Sequence, residues 1–243
     1  MTDNAQMVQS LLPVLTFLLP AAAGVLVLLF GRRHALLWGG LTFLGLAATL
    51  VTSVLCALQV LRGTVLTAWH MTIYVDALSV LMQILGGLLA CVVACYSIAY
   101  SGHHPRMGDF SANRRALYYG LILLFLGTMN WTCSTNNIVM LWVSLEATTL
   151  AMTFQVTFYW RRESIEAGYK YLLLVAVGVA FALFGCVLIY SAGLAFLPAR
   201  EALLLSSMRK IAHQIPANLV LLTAAFFIAG FGTKAGLLPF HAW

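Results

Sequence analysis

The stretch Ile138-Val-Met-Leu-Trp-Val-Ser-Leu-Glu146-Ala-Thr-Thr-Leu-Ala-Met152 places one carboxylate inside an otherwise uncharged, largely apolar run, and its reading decides the fold. Soluble domains carry about a quarter charged residues. Here 8% of 243 residues are charged, 62% are apolar and the mean hydropathy is +0.95. So few charges cannot cover a surface facing water, and lipid is therefore the solvent for most of the chain. That excludes a soluble enzyme, a nucleic-acid-binding protein and a disordered scaffold. The net charge of +6 comes from 13 Lys and Arg against 7 Asp and Glu. Most of these basic residues fall in short connections between apolar runs, where they act as topology signals and not as a nucleic-acid footprint.

Outward from that stretch, the chain divides at the length a bilayer sets. A hydrocarbon core of about 30 Å takes roughly 20 apolar residues per helix. Scanning at that length predicts seven spans, near residues 11–30, 35–61, 77–100, 116–133, 137–159, 168–193 and 218–241. The expected fold is an all-α integral membrane protein in a cell (inner) membrane. Arg32-Arg33-His34 follow the first apolar run, the reverse of the order in a signal peptide, so the run reads as a retained helix. Arg32, Arg33, Arg106, Arg114, Arg115, Arg161 and Arg162 lie in alternate connections, with Lys170 on their side. Positive-inside counting then puts the N-terminus outside. The connection 194–217 is long, and Ala199–Ala212 predicts a short amphipathic helix at the membrane surface, closed by Pro216. Cys56, Cys91, Cys95, Cys133 and Cys186 all lie within or at the ends of apolar runs without a CxxC pair. They read as buried thiols, with no disulfide framework, zinc site or iron–sulfur cluster expected.

The charges that lipid should not tolerate are the candidate site. A charge at the centre of a span costs at least about 2.5–3.5 kcal/mol, so such residues mark function. Glu146 sits near mid-depth; the alternative is a carboxyl kept protonated or hydrogen-bonded to a neighbouring helix. Lys234 lies in Ala229-Gly-Phe-Gly-Thr-Lys234-Ala-Gly-Leu-Leu-Pro239-Phe-His241-Ala-Trp243. Gly230, Gly232, Gly236 and Pro239 predict a broken or kinked helix at the lysine, against the alternative of a lysine snorkelling from a helix end. Lys170 opens the sixth span, four residues after Glu166. That spacing fits a surface pair or, in the functional reading, a lysine that reaches inward toward Glu146. Asp76 reads as an interfacial helix cap or a further relay group, and His241 as a proton carrier or an interfacial residue. Ser144, Thr148, Thr149 and Thr233 are candidates to hold water beside the two central charges. Burial disfavours the charged form of any group and a nearby opposite charge restores it. A changing Glu146–Lys234 separation would therefore load and unload a proton. No Rossmann fingerprint, haem ligand or cluster motif is present, so no cofactor is expected on this chain.

Three segments carry a resemblance: Asn136-Asn-Ile-Val-Met-Leu-Trp-Val-Ser-Leu-Glu146-Ala-Thr-Thr-Leu, Ser164-Ile-Glu-Ala-Gly-Tyr-Lys170-Tyr-Leu and Gly230-Phe-Gly-Thr-Lys-Ala-Gly-Leu-Leu-Pro-Phe-His-Ala-Trp243. The chain resembles the antiporter-like proton-channel family shared by respiratory complex I, Mrp cation/proton antiporters and membrane-bound hydrogenases. With Ala182-Leu-Phe-Gly, it looks closest to the hydrogenase-4 and formate-hydrogenlyase branch. The resemblance implies that Glu146 is the fifth-helix glutamate, Lys234 the lysine of a discontinuous seventh helix, and Lys170 a sixth-helix lysine carried by several members. It implies helices 1–3 over 1–115, and over 116–243 an incomplete first antiporter-like repeat of an inverted pair. It implies a proton-translocating, non-catalytic subunit of a hydrogenase or NADH-quinone oxidoreductase complex. The expected partners are other membrane subunits, a peripheral redox module and a quinone held in a partner subunit. An Mrp-type cation/proton antiporter subunit and a non-conducting structural remnant are the alternatives. Family members continue past His-Ala-Trp with further helices. The expectation is thus a fragment, a truncated gene or a split protein that conducts nothing useful without its neighbours.

Overall fold

In lipid an apolar segment satisfies its backbone only as a helix or a closed barrel, and the apolar runs here all become helices. The computed structural model describes residues 6–31, 35–103 and 112–238. Arg32, Arg33, His34, Arg106, Pro239 and His241 lie outside the described residues. Among those described, seven helices are long and apolar enough to span a membrane. They are α1 (Leu12–Phe30), α2 (Ala35–Val60), α3 (Ala77–His103), α4 (Ala112–Ser134), α5 (Ile138–Val156), α6 (Arg162–Gly193) and α8 (Ala217–Ala235), with the short α7 (Leu205–Ile211) before the last. The chain forms two compact units, Met1–Ser134 and Thr135–Trp243.

The first unit contains α1–α4 and a small sheet that the sequence reading did not anticipate. β1 (Gln6–Gln9) runs parallel to β2 (Thr64–Ala68), which pairs antiparallel with β3 (Ile73–Val75). Leu66, Ala68, Ile73 and Val75 bury themselves against Val14, Phe17, Cys56 and Val80 of the helices. β2 is buried all along Val65–Ala68 and β3 at Ile73 and Val75, so this connection packs into the unit. Trp69, His70 and Met71 turn the hairpin with φ of 48°, 54° and 69°, closed by the Thr72 N–H donating to the Trp69 carbonyl at 3.2 Å.

α1 crosses α4 at close range: a Cβ on Gly24 would lie 2.9 Å from the Gly120 carbonyl oxygen. Small residues let helix backbones approach where lipid offers no hydrophobic drive. Pro20 inside α1 has no N–H, so the carbonyl of Thr16, four residues earlier, loses its helical donor. Asn130 of α4 supplies the replacement, its buried Nδ2 donating to that carbonyl at 2.9 Å. Behind it, Ser134 Oγ donates to the Asn130 carbonyl at 2.6 Å and accepts from Gln83 Nε2 at 2.8 Å. The unit is held by these polar ties as well as by its apolar faces.

In the second unit α5 and α8 both pack on α6. The buried face of α6 runs Gly168, Tyr171, Val175, Gly178, Ala182, Gly185 at the spacing of one helical stripe. Two boundaries differ from the sequence expectation. α6 starts at Arg162, not near 168, because Ser164 Oγ accepts the Arg161 N–H at 3.1 Å and Glu163 occupies the first turn. α8 stops at Ala235, not near 241, because Gly236 adopts φ 71° and the Leu237 N–H closes the end on the Gly232 carbonyl at 2.9 Å.

The predicted amphipathic helix over Ala199–Ala212 is also shorter, confined to α7. Leu204 is extended and bridges to Asn137, and the Asn136 side chain accepts from the Ser206 N–H (3.0 Å) and donates to Ser206 Oγ (2.8 Å). Those ties fix the start of α7 and anchor it beside the first turn of α5. Asn137 meanwhile caps α5, accepting from the Val139 and Met140 N–H groups.

Candidate functional site

α6 acts as the ruler that sets Glu146 and Lys234 at one level. From one side, the Trp142 indole N–H of α5 donates to the Val179 carbonyl at 2.9 Å. From the other, Thr233 of α8 presses on Gly178, where an added Cβ would meet it at 2.5 Å. Val179 and Gly178 are neighbours, so Lys234 stands within about a turn of the level of Trp142 and Glu146. Gly178 is also close to the midpoint of the 32-residue α6. A helix of that length is about 48 Å long, so the level is about 24 Å from either end of α6.

At this level the Lys234 ammonium donates to Thr148 Oγ1 at 2.6 Å. Its charge interacts with that of Glu146, yet the two form no ion pair. Glu146 also acts electrostatically on the phenol of Tyr171, on the packed face of α6. The Glu146 Oε2 atom is buried with no hydrogen-bond partner. An unpartnered buried acceptor is costly and rare in proteins, and here it lies in the field of a half-buried ammonium. The arrangement is a half-buried cation with a neutral ligand, next to a carboxylate with one buried oxygen unpartnered.

The four hydroxyls read from the sequence as water ligands are found bonding back to their own helices. Ser144 donates to the Leu141 carbonyl (2.9 Å), Thr148 and Thr149 to that of Leu145 (2.7 and 3.1 Å), and Thr233 to that of Ala229 (2.7 Å). This back-bonding lets a polar side chain sit in lipid. It also uses the hydroxyl proton, so Thr148 meets Lys234 as an acceptor.

Lys170 is not brought to Glu146. It donates to Glu166 Oε1 at 2.6 Å, with the two side chains 66% and 62% exposed. The buried stripe of α6 gave the signal: Gly168, Tyr171 and Val175 lie on it and Lys170 does not. Asp76, in the first unit, caps α3, its Oδ1 accepting from both the Ser79 N–H and Ser79 hydroxyl at 2.9 Å. α8 runs unbroken through Gly230 and Gly232. Gly230 serves instead as a contact point, where a Cβ would fall 2.5 Å from the Ala182 backbone nitrogen. The break comes after the lysine, at Gly236. Trp142 and Tyr171 were not among the sequence candidates, and their contacts across α5 and α6 required the packed pair.

Residues 135–243 match the family model described as NADH:quinone oxidoreductase/Mrp antiporter, TM, and they are the residues of the second unit. Over 170 residues the chain is 34% identical to a hydrogenase-4 component F homologue of Methylacidiphilum infernorum, covering 70% of this chain and 36% of that protein. Over 242 residues it is 31% identical to NADH-quinone oxidoreductase subunit N of Ectopseudomonas mendocina, covering 99% of this chain and 46% of the relative. Among solved structures it superposes on a chain of respiratory complex I from Thermus thermophilus with a TM-score of 0.72 at 25% identity, covering 94% of this chain and 45% of that one. A chain of the Mrp complex from Dietzia superposes with a TM-score of 0.75 at 20% identity, covering 96% and 42%, a likeness of fold. The chain thus spans less than half the length of these relatives.

Proposed function

We infer, from this chain's membership of the antiporter-like family of membrane subunits, that its second unit is the proton-loading centre of a proton-translocating subunit. The complex would be redox-driven, of the hydrogenase or NADH-quinone oxidoreductase type. The observation that carries the reading is Lys234 bonded to Thr148 in the field of Glu146, whose Oε2 is buried and open. A cation in low dielectric holds its proton more firmly the nearer its counter-charge. A push that changes the separation of these two groups therefore captures or expels a proton without any bound cofactor. The push comes from partner subunits: neighbouring membrane subunits and a peripheral redox module, with a quinone bound elsewhere in the complex. The chain lies in the inner cell membrane with its N-terminus outside, which puts Arg114, Arg115, Arg161 and Arg162 on the cytoplasmic side.

The test is Glu146→Gln in the complete complex, reconstituted in proteoliposomes, with pumping and electron transfer measured together. Pumping should fall to background, and pumping at the unsubstituted rate would refute the reading. The likeness in fold to an Mrp complex chain favours a second reading, a cation/proton antiporter subunit driven by gradients. Purification from native membranes separates the two. Hydrogenase or quinone-oxidoreductase subunits accompany the chain in the first case, and small antiporter subunits in the second.

A further inference from the structure

We propose that Thr148 is a positioning residue, a neutral berth that holds the Lys234 ammonium off Glu146 and so creates the separated state of the pair. The proposal rests on the proton-loading reading above and specifies how that centre is regulated. Two residues apart on a helix are about 200° apart around its axis, so Glu146 and Thr148 leave α5 in different directions and offer the lysine separate oxygens. Lys234 cannot occupy both positions equally, and its ammonium is on the Thr148 side at 2.6 Å. The berth is built for an incoming donor. Thr148 is 3% exposed and its own hydroxyl proton is directed at the Leu145 carbonyl at 2.7 Å, which leaves the oxygen lone pairs for the lysine. The orphaned Glu146 Oε2 is the complementary observation: it is the acceptor the ammonium would take on crossing over.

The groups that face the ammonium are Thr148 and Glu146 from α5, while Tyr171 on α6 lies in the field of Glu146. Among the described residues, Lys170 and Glu166 satisfy each other at the exposed surface. Lys234 thus has two discrete positions, one neutral and one charged. The neutral one is a ligand with no charge of its own, so the lysine can rest there without being locked into an ion pair. Withdrawal of the hydroxyl would collapse the lysine onto the carboxylate and stop the cycle in its paired state.

The test compares Thr148→Val with Thr148→Ser in the complete, assembled complex. Proton pumping is normalised to electron-transfer turnover, and the Lys234 Nζ position is read by cryo-electron microscopy. Valine keeps the shape and removes the hydroxyl. It should lower coupled pumping about tenfold, the scale of losing one hydrogen bond to a charged group, and move Nζ into ion-pair distance of Glu146. Serine keeps the hydroxyl and should restore both pumping and position. Equal loss in valine and serine, or unsubstituted pumping in valine with Nζ still away from Glu146, overturns the berth. If Glu146→Gln also leaves pumping intact, the proton-loading reading itself has failed. The Nζ displacement in the valine variant still decides the berth in that case, because it is read from coordinates and not from transport.

Discussion

Substituting Gly230 by alanine should uncouple the site without touching any of its polar groups. The new Cβ would stand 2.5 Å from the Ala182 backbone nitrogen, 2.6 Å from its Cβ and 2.8 Å from its Cα. None of these atoms belongs to a flexible side chain that could turn aside. Reaching ordinary contact at 3.4 Å requires α8 to withdraw from α6 by about 0.9 Å. Lys234 is one turn further along the same face of α8. A displacement of that size takes its 2.6 Å bond to Thr148 toward 3.5 Å, the outer limit of a hydrogen bond. Overpacking of this kind costs about 1–3 kcal/mol, and loss of a hydrogen bond to a charged group about 1.5–3 kcal/mol.

The expected outcome in the purified complex is a clear loss of thermal stability, with proton pumping falling further than electron transfer. Gly40→Ala is the control, because nothing lies within 4 Å of its added Cβ in α2. It should be neutral or gain about 0.5–1 kcal/mol from the reduced freedom of the unfolded chain. A Gly230→Ala complex that matches Gly40→Ala in both stability and pumping would refute the argument that α6 sets the height of the lysine.

Two further outcomes follow from the first unit. Asn130→Leu strands the Thr16 carbonyl inside the membrane and should cost about 1–3 kcal/mol. Pro20→Ala restores the helical donor, so the same leucine substitution in that background should cost much less; equal costs in the two backgrounds of a double-mutant cycle would show that Pro20 is not the reason for Asn130. Asp76→Ala removes the cap of α3 and should destabilise by about 0.5–2 kcal/mol in a thermal or denaturant assay. Pumping per assembled complex should stay unchanged, and a loss there would make Asp76 a relay group after all.

The helical spans were legible because lipid leaves a chain few choices: apolar runs of bilayer length have to close their backbone bonds internally. The two residues at the centre of the site were legible for the related reason that a charge in such a run is expensive and stands out, as Glu146 and Lys234 do. Their surroundings were less so. The strands of 62–76 are too short to show a period, and they exist because Leu66, Ala68, Ile73 and Val75 have the ends of the helices to cover. The position of Lys170 could have been read from the stripe Gly168, Tyr171, Val175, Gly178, which marks the packed face of α6 and leaves the lysine off it. The glycines of the last span had two readings, as breakers or as contacts. Only Gly236 breaks the helix, while Gly230 lies against Ala182.

By itself the sequence determined the solvent, the number of spans and the two charges that lie within apolar spans, since each follows from composition along the chain and from the cost of burying charge. Only the tertiary structure decided who partners whom. Trp142 on Val179 and Thr233 on Gly178 bring α5 and α8 to one height on α6. That register, fixed by packing between residues distant in sequence, puts Lys234 on Thr148 and leaves the Oε2 of Glu146 open.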